Sequence, residues 1–403
     1  MIDLSLSPLA ERVREMAHAF AQYSLRPVAR EMDETGIVPE DLLKTLAAIG
    51  IGGKAGIPKE LGGEDEAGRE SSERHLISMI GAEELAWGDA GVVLNIPGPG
   101  LAGPAILSAG TPEQQERLLD RFTQDAIRYG ALAVTESQAG SDVSGIVTRA
   151  DRDGDGWVIN GSKVFCTNGA KADIVVVLAT VDRSLGRAGH KLFVVEKGTP
   201  GFTVGKIEKK MGLRASETAE LILDDVHVPM DNLLGGEAAL DPKGAGFRGT
   251  MKTFDATRPG VAALAIGIGR AAFEYARDWT ISELPSTTPP SRRGAIDTLL
   301  ATTERELTAA RILTWRAAWM ADHKMSNSAE ASMAKAYAPM VARKACEAAI
   351  RIMGPDGYSK EHLVEKCFRD VKVYDIFEGT GQIQRVVISR KLLGRLEADS
   401  PVS

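Results

Sequence analysis

The chain has 403 residues, 48 of them basic and 55 acidic, for a net charge of −7. At roughly 150 residues per domain this length predicts two to three domains, with cores that need no disulfide or metal to hold them. The mild acidity contains no basic block, which excludes a nucleic-acid binder, and no apolar run approaches the roughly 20 residues of a membrane helix. Three scattered cysteines, Cys166, Cys346 and Cys367, form neither a disulfide framework nor a CxxC metal pair, and no two histidines stand at HxxxH or HExxH spacing. The first twenty residues mix acids and bases into their apolar pattern, unlike a signal peptide, so a cytoplasmic or organelle-matrix protein is expected. What remains for chemistry is carboxylates, hydroxyls, glycines and a borrowed cofactor.

The elements change character twice along the chain. Residues 1 to about 128 read as helix. Ala10, Val13, Met16, Ala17 and Phe20 mark one face, and a second helix opens at Asp41 and ends at Gly50 and the Gly52-Gly53 pair. Thr111-Pro112-Glu113 reads as a cap with proline at the first helical position, starting a helix through Phe122. From about 129 to 243 the period becomes two. Six runs are expected as strands: Ala131–Thr135, Trp157–Cys166, Ile174–Val181, Lys191–Glu196, Phe202–Ile207 and Leu221–Val228. Asn160-Gly161 is a hairpin signal, and strands without intervening helices predict an antiparallel, barrel-like sheet. From 244 to 403 helix returns. Its stripes are Val261-Leu264-Ala265-Ile268-Ala272, Ile296-Leu299-Leu300-Leu307-Ala310 and Met333-Tyr337-Met340-Val341, with Leu284–Arg293 as the longest loop. The expected fold is mainly α with a central β domain: an N-terminal helical domain, a β middle domain and a C-terminal four-helix bundle.

Two glycine patterns mimic a dinucleotide fingerprint. Gly98-Pro99-Gly100-Leu101-Ala102-Gly103 lacks the second parallel strand such a site needs, and Gly267-Ile268-Gly269 lies inside a helical stripe where small residues allow close packing. Three other segments carry polar groups in a pattern suited to chemistry. Thr135-Glu136-Ser137-Gln138-Ala139-Gly140-Ser141-Asp142 follows a strand; it is either an ordinary polar turn or a cradle of hydroxyls and N–H groups. Phe165-Cys166-Thr167-Asn168-Gly169 ends another strand. In Tyr374-Asp375-Ile376-Phe377-Glu378-Gly379-Thr380 one carboxylate sits among apolar neighbours, as either a helix-end glutamate or a general base raised by desolvation. Arg258 reads as a cation at the start of a helix, opposing its dipole, with either a salt-bridge partner or a ligand.

Together these segments resemble the acyl-CoA dehydrogenase family. TESQAGSD, FCTNG, KKMGLRASETAELILDDVHVP, FDATRP and IMGPDGY…RDVKVYDIFEGTGQIQR occur in that family's order and cover nearly the whole chain. The resemblance implies FAD as cofactor, an acyl-CoA substrate, an electron-transfer flavoprotein as electron acceptor and a homotetramer or heterotetramer. It implies that Glu378 removes the α-proton of an acyl thioester while hydride leaves the β-carbon for flavin N5. Pre-placed donors to the thioester carbonyl typically supply ~3–4 kcal/mol each. It assigns Thr135, Ser141, Phe165, Thr167 and Thr380 to the cofactor, and Ser141, Asp255, Arg258, Phe377 and Gly379 to the substrate.

This chain also departs from the family pattern. Where the family has Arg-x-x-Phe-Gly, reaching the neighbouring subunit's FAD, the sequence reads Ile281-Ser282-Glu283-Leu284-Pro285-Ser286-Thr287, and Arg351 and Pro355 replace the Gln and second Gly of Gln-x-x-Gly-Gly. Two explanations compete: the loop binds FAD differently in a homo-oligomer, through Arg292 or Arg293, or a different subunit supplies the interface in a heteromer. The alternatives to the dehydrogenase are a non-catalytic or half-site partner subunit and a flavin oxidase or monooxygenase on the same fold.

Overall fold

The computed structural model describes residues 5–48, 73–122, 127–241 and 246–394, without the side chains of 246–256. The expected helix end at Gly50 and Gly52-Gly53 lies outside the described residues. The N-terminal helices are α1 (Pro8–Phe20), α2 (Ala29–Thr35), α3 (Glu40–Ala48), α4 (Arg74–Val93), α5 (Ala102–Ala109) and α6 (Pro112–Leu119). Their ends follow local chemistry. Ser7 caps α1 ahead of Pro8, and Thr111 and Gln114 form a reciprocal capping box on α6. Of the expected α1 face, Ala10 is buried, whereas Met16 is 50 % exposed. Helix α4 breaks at Asp89 (φ −160°, ψ 110°), whose Oδ1 accepts the Val92 N–H at 3.0 Å and so restarts the helix.

The middle region holds β1 (Gly130–Ala133), β2 (Arg149–Asp153), β3 (Gly156–Thr167), β4 (Ile174–Thr180), β5 (His190–Glu196), β6 (Phe202–Ile207) and β7 (Thr218–Pro229). Seven strands form one curled sheet in the order β1-β4-β2-β3-β7-β6, with β5 on the other edge of β4. The expectation of an antiparallel sheet is corrected here. Strand β1 runs parallel to β4, Gly130 opposite Ile174, so the sheet is mixed. The hairpin expected at Asn160-Gly161 is also corrected. Strand β3 continues through it, with a register shift between Ile159 and Gly161 where it pairs with β7. Gly161 (φ +150°) lies so close to Thr148 that a Cβ would stand 2.5 Å from its hydroxyl. The two-residue turn is instead Gly154-Asp155, joining β2 to β3.

Strand β4 is buried on both faces, which explains its unbroken apolar sequence. Val175, Val177 and Ala179 join Trp157 and Phe193 inside the curled sheet, while Ile174, Val176 and Leu178 pack on Ala102, Ile106 and Leu118 of α5 and α6. The sheet is thus fastened to the N-terminal helices by alternate residues of one strand.

The C-terminal part contains α7 (Gly246–Ser282), α8 (Pro290–Asp322), α9 (Ser328–Met353), α10 (Pro355–Tyr358), α11 (Val364–Val371) and α12 (Gly381–Leu393). Helices α7, α8 and α9 pack together, α12 lies on α9, and α4 packs on α7. The bundle is therefore assembled from both ends of the chain. Both glycine decoys are structural. A Cβ at Gly267 would lie 2.2 Å from the Glu83 carbonyl of α4, and one at Gly269 would lie 2.8 Å from Ala342 of α9. The segment Val92–Ile96 before the first decoy closes α4 and is not a strand. Arg258 does not begin a helix either. It lies well inside α7, which continues through Pro259.

Buried charge joins the layers near the site. Lys366 of α11 bridges Asp89 at 2.8 Å and Asp370 at 2.5 Å, and Asp370 accepts the Leu213 N–H at 2.6 Å. One ammonium thereby ties α4, the loop before β7 and α11 together. Among the described residues no helix is long and apolar enough to cross a membrane.

Candidate active site

Glu378 sits in a turn whose shape follows from its flanks. A 3-10 turn over Lys372–Asp375 precedes it, and the N–H groups of Ile376 and Phe377 both donate to Val373 O. The backbone then turns left-handed at Glu378 (φ +56°) and Gly379 (φ +87°). A non-glycine residue held there costs on the order of 1–3 kcal/mol, a pattern that concentrates at functional sites. Thr380 ends the turn as the N-cap of α12, its hydroxyl accepting the Ile383 N–H at 3.3 Å. Phe377 stacks edge-on against the buried Tyr374, ring centroids 4.9 Å apart.

The Thr257 hydroxyl donates to Glu378 Oε2 at 2.8 Å, so α7 faces the carboxylate. Glu378 is densely surrounded yet keeps part of its surface open, as a base that must meet a substrate requires. Burial raises its pKa; the Thr257 hydroxyl and the charges of Lys335 and Arg258 pull the other way without cancelling the rise. The neighbouring Arg258 is buried, and its Nη1 donates to Ser332 of α9 at 3.3 Å. Arg258 thus meets a hydroxyl of the neighbouring helix beside the carboxylate. The side chain of Asp255 lies outside the described residues.

The second half of the site is the end of the sheet where β1 and β3 finish. Thr135 follows β1, and its carbonyl accepts the Val164 N–H at 2.9 Å, joining this loop to β3. Thr167 closes β3 opposite Thr218 of β7. Between them Phe165 has φ +58° and is 63 % exposed, an aromatic ring turned outward by left-handed backbone. Ser141 is exposed farther along the loop, and Asp142 beside it caps the turn at Ser144. The loop is fixed from beneath by Glu136, which is fully buried. Its carboxylate accepts from Lys163 Nζ at 2.7 Å and from the N–H groups of Val147 and Thr148 at 2.7 and 3.0 Å.

The two halves meet through α4. Phe377 joins an apolar cluster with Val93, Leu94, Val261 and Leu264, and the Leu94 carbonyl accepts from Asn168 Nδ2 at 3.1 Å, one residue beyond Thr167. The buried Asn168 Oδ1 has no hydrogen-bond partner among the described residues.

Sequence reasoning missed Lys335 and Gln384. Lys335 is completely buried in α9 and its ammonium donates to Gly379 O, while Gln384 of α12 donates to Glu378 O at 3.3 Å and Gly379 O at 3.1 Å. A signal was available for the first: Lys335 stands one helical turn after Ser332 among alanines, where a solvated lysine has no place.

Three family models match this chain: the acyl-CoA dehydrogenase N-terminal domain over residues 7–125, the middle domain over 131–226 and the C-terminal domain over 244–393. The chain is 36% identical to the short-chain specific acyl-CoA dehydrogenase of Clostridium acetobutylicum, over 97% of this chain and 100% of that one. The solved structure of butyryl-CoA dehydrogenase from Megasphaera elsdenii matches with a TM-score of 0.87 at 36% identity, covering 97% of this chain and 100% of that one. A chain in the structure described as the electron transferring flavoprotein of Acidaminococcus fermentans matches equally, with a TM-score of 0.87 at 36% identity over 98% and 100% of the two chains.

Proposed function

The chain belongs to the acyl-CoA dehydrogenase family, and from that premise we infer that it forms the trans-2,3 double bond of an acyl-CoA thioester and passes the electrons to an electron-transfer flavoprotein. The observation that carries this reading is Glu378, a carboxylate raised by burial, held on a left-handed turn and still open on one side. A base so placed takes the α-proton of a bound thioester more readily than a solvated carboxylate does, because its protonated form is favoured. Thr257 keeps Oε2 in a defined position until substrate arrives. Thr257 occupies the position where some branches of the family carry the base, which leaves Glu378 as the sole carboxylate for the proton.

The residues fit FAD, which when bound accepts the hydride from the β-carbon. Thr135, Ser141 and Thr167 offer hydroxyls near one end of the sheet, and the orphaned Asn168 Oδ1 would accept from a ring N–H. Phe165 presents an aromatic surface beside them. The Thr380 hydroxyl already serves as a helix cap, so what remains of it toward the cofactor is its own proton. Phe377 and Gly379 flank the base and would shape the thioester end of the pocket.

For the assembly the family resemblance offers a homotetramer or a heterotetramer, and the altered loop bears on how FAD is held in either. The loop expected over Leu284–Arg293 ends earlier, at Pro289, and Arg293 in the first turn of α8 donates back to it, to Pro285 O at 2.9 Å and Thr288 O at 3.3 Å. The chain purified by itself tests the reading. Yellow protein bleached anaerobically by one member of an acyl-CoA panel supports it. Colourless protein that gains FAD only beside a second subunit favours the heteromer, and efficient turnover with oxygen would move the protein to the oxidase class.

A further inference from the structure

Lys335 is the only fully buried lysine among the described residues of the C-terminal helices, and no step above uses it. It lies in the middle of an alanine-rich face of α9, where Ala334 and Ala338 pack against apolar neighbours and Ala331 is buried. An ammonium at such a position is costly to dehydrate, so its partners indicate what the arrangement retains it for. Its ammonium donates to the Gly379 carbonyl, the peptide next to the base.

The turn that carries Glu378 is gripped from two helices. Lys335 from α9 and Gln384 from α12 both donate to Gly379 O, and Gln384 donates to Glu378 O as well. Two consecutive peptide planes are fixed by these bonds. They are the planes that set the left-handed angles at Glu378 and Gly379. Glycine suits the second position, where φ is +87° and a Cβ would stand 2.6 Å from Gln384 Nε2 and displace the amide that grips the turn. One turn earlier on α9, Ser332 meets Arg258, so the same helix face also locates the α7 residue that follows Thr257.

We propose that Lys335 is a positioning residue for Glu378: its buried ammonium holds the Gly379 carbonyl and, through it, the left-handed turn that aims the base at the substrate. The proposal rests on Glu378 being the base. The charges that face Lys335 are Asp375 and Glu378 from the turn and Arg258 from α7, with Arg385 of α12 beside Gly381. Burial pushes the lysine down to about 8, so the ammonium is protonated at neutral pH and favours the charged form of Glu378.

The experiment uses FAD-loaded Lys335→Met and Lys335→Gln beside wild type and Glu378→Gln. FAD content, acyl-CoA Kd and the anaerobic bleaching rate are followed from pH 6 to 9. Misplacing a reacting group by about 1 Å can cost on the order of a hundredfold. Lys335→Met is therefore expected to bleach about a hundredfold more slowly at pH 7, with FAD content and Kd within about twofold of wild type. Its rising pH limb moves to higher pH, because the base loses a positive neighbour. The infrared carboxyl band that disappears in Glu378→Gln titrates at higher pH in the same variant, independently of turnover. If Lys335→Met does not fold, Lys335→Gln decides, since it fills similar space and keeps a neutral donor. Slow bleaching with FAD retained supports the proposal. A rate and pH limb within twofold of wild type, in whichever variant folds, overturn it while Glu378→Gln stays inactive. Bleaching by Glu378→Gln itself would instead overturn the assignment of the base.

Discussion

Replacing Lys163 by methionine isolates the buried ion pair beneath the loop that follows β1. The side chains of Lys163 and Glu136 are 0% and 2% exposed, with 2.7 Å between Nζ and Oε1. Removing the ammonium leaves a carboxylate in the interior with only neutral donors, the N–H groups of Val147 and Thr148 and the Gln138 amide at 2.6 Å, a change that typically costs about 3–5 kcal/mol. The carboxylate's own titration gives a similar size. Burial works to raise it, but Lys163 and the donors at Val147 and Thr148 outweigh burial and hold it at about 2, from an ordinary 4.5. A depression of that size corresponds to about 3 kcal/mol. Burial pushes the lysine's pKa down, so dehydration of the ammonium offsets part of what the pair contributes. The carboxylate is the better guide, because several donors converge on it. Its contribution is complete above about pH 4.5 and lost as pH falls toward 2. Urea unfolding at pH 7 should show Lys163→Met destabilised by about 3 kcal/mol, with an acid limb beginning at higher pH and FAD retained less tightly. The Lys163→Met/Glu136→Leu double variant should regain part of that stability. A loss below about 1 kcal/mol with an unmoved acid limb would refute this reading of the pair.

Three further outcomes can be checked with single substitutions. Thr257→Val removes a hydrogen bond to a charged group, typically worth about 1.5–3 kcal/mol, so the base's pKa should rise further; the bleaching rate then falls most at low pH and recovers as pH rises. Gly267→Ala places a methyl group where the Glu83 carbonyl stands, and a urea titration should show about 1–3 kcal/mol of overpacking. Thr111→Ala removes the cap of α6 and should cost about 1 kcal/mol without altering the flavin spectrum.

How much of this was legible in the sequence depended on whether the deciding contact was local. The α6 cap is written in Thr111 and Pro112, and the structure forms it with those residues, adding Gln114 as the reciprocal partner. Strand β4 was legible as an apolar run of residues that branch at Cβ, but its parallel pairing with β1 was not, since pairing joins segments more than 40 residues apart. Strand β2 was missed because its burial alternates around a single buried residue, Ala150, in the polar run RADRD. Asn160-Gly161 is a genuine turn signal that the β3–β7 register absorbs as an irregularity. Arg258 was misplaced because Pro259 reads as a helix start, although α7 runs on through it. The segments around Glu378, Thr135 and Thr167 were legible as candidates. Their supports were not: Lys335 and Gln384 act on backbone carbonyls, and such contacts leave no pairing pattern in sequence.

The most direct test of Glu378 as the base is stopped-flow reduction of the FAD-loaded protein and its Glu378→Gln variant by the acyl-CoA that bleaches wild type, mixed without oxygen at pH 7. The variant should bind the thioester, shown by a perturbed flavin spectrum, and remain yellow over times at which wild type is fully bleached. Bleaching of Glu378→Gln at the wild-type rate would contradict the assignment and place the base elsewhere in the site.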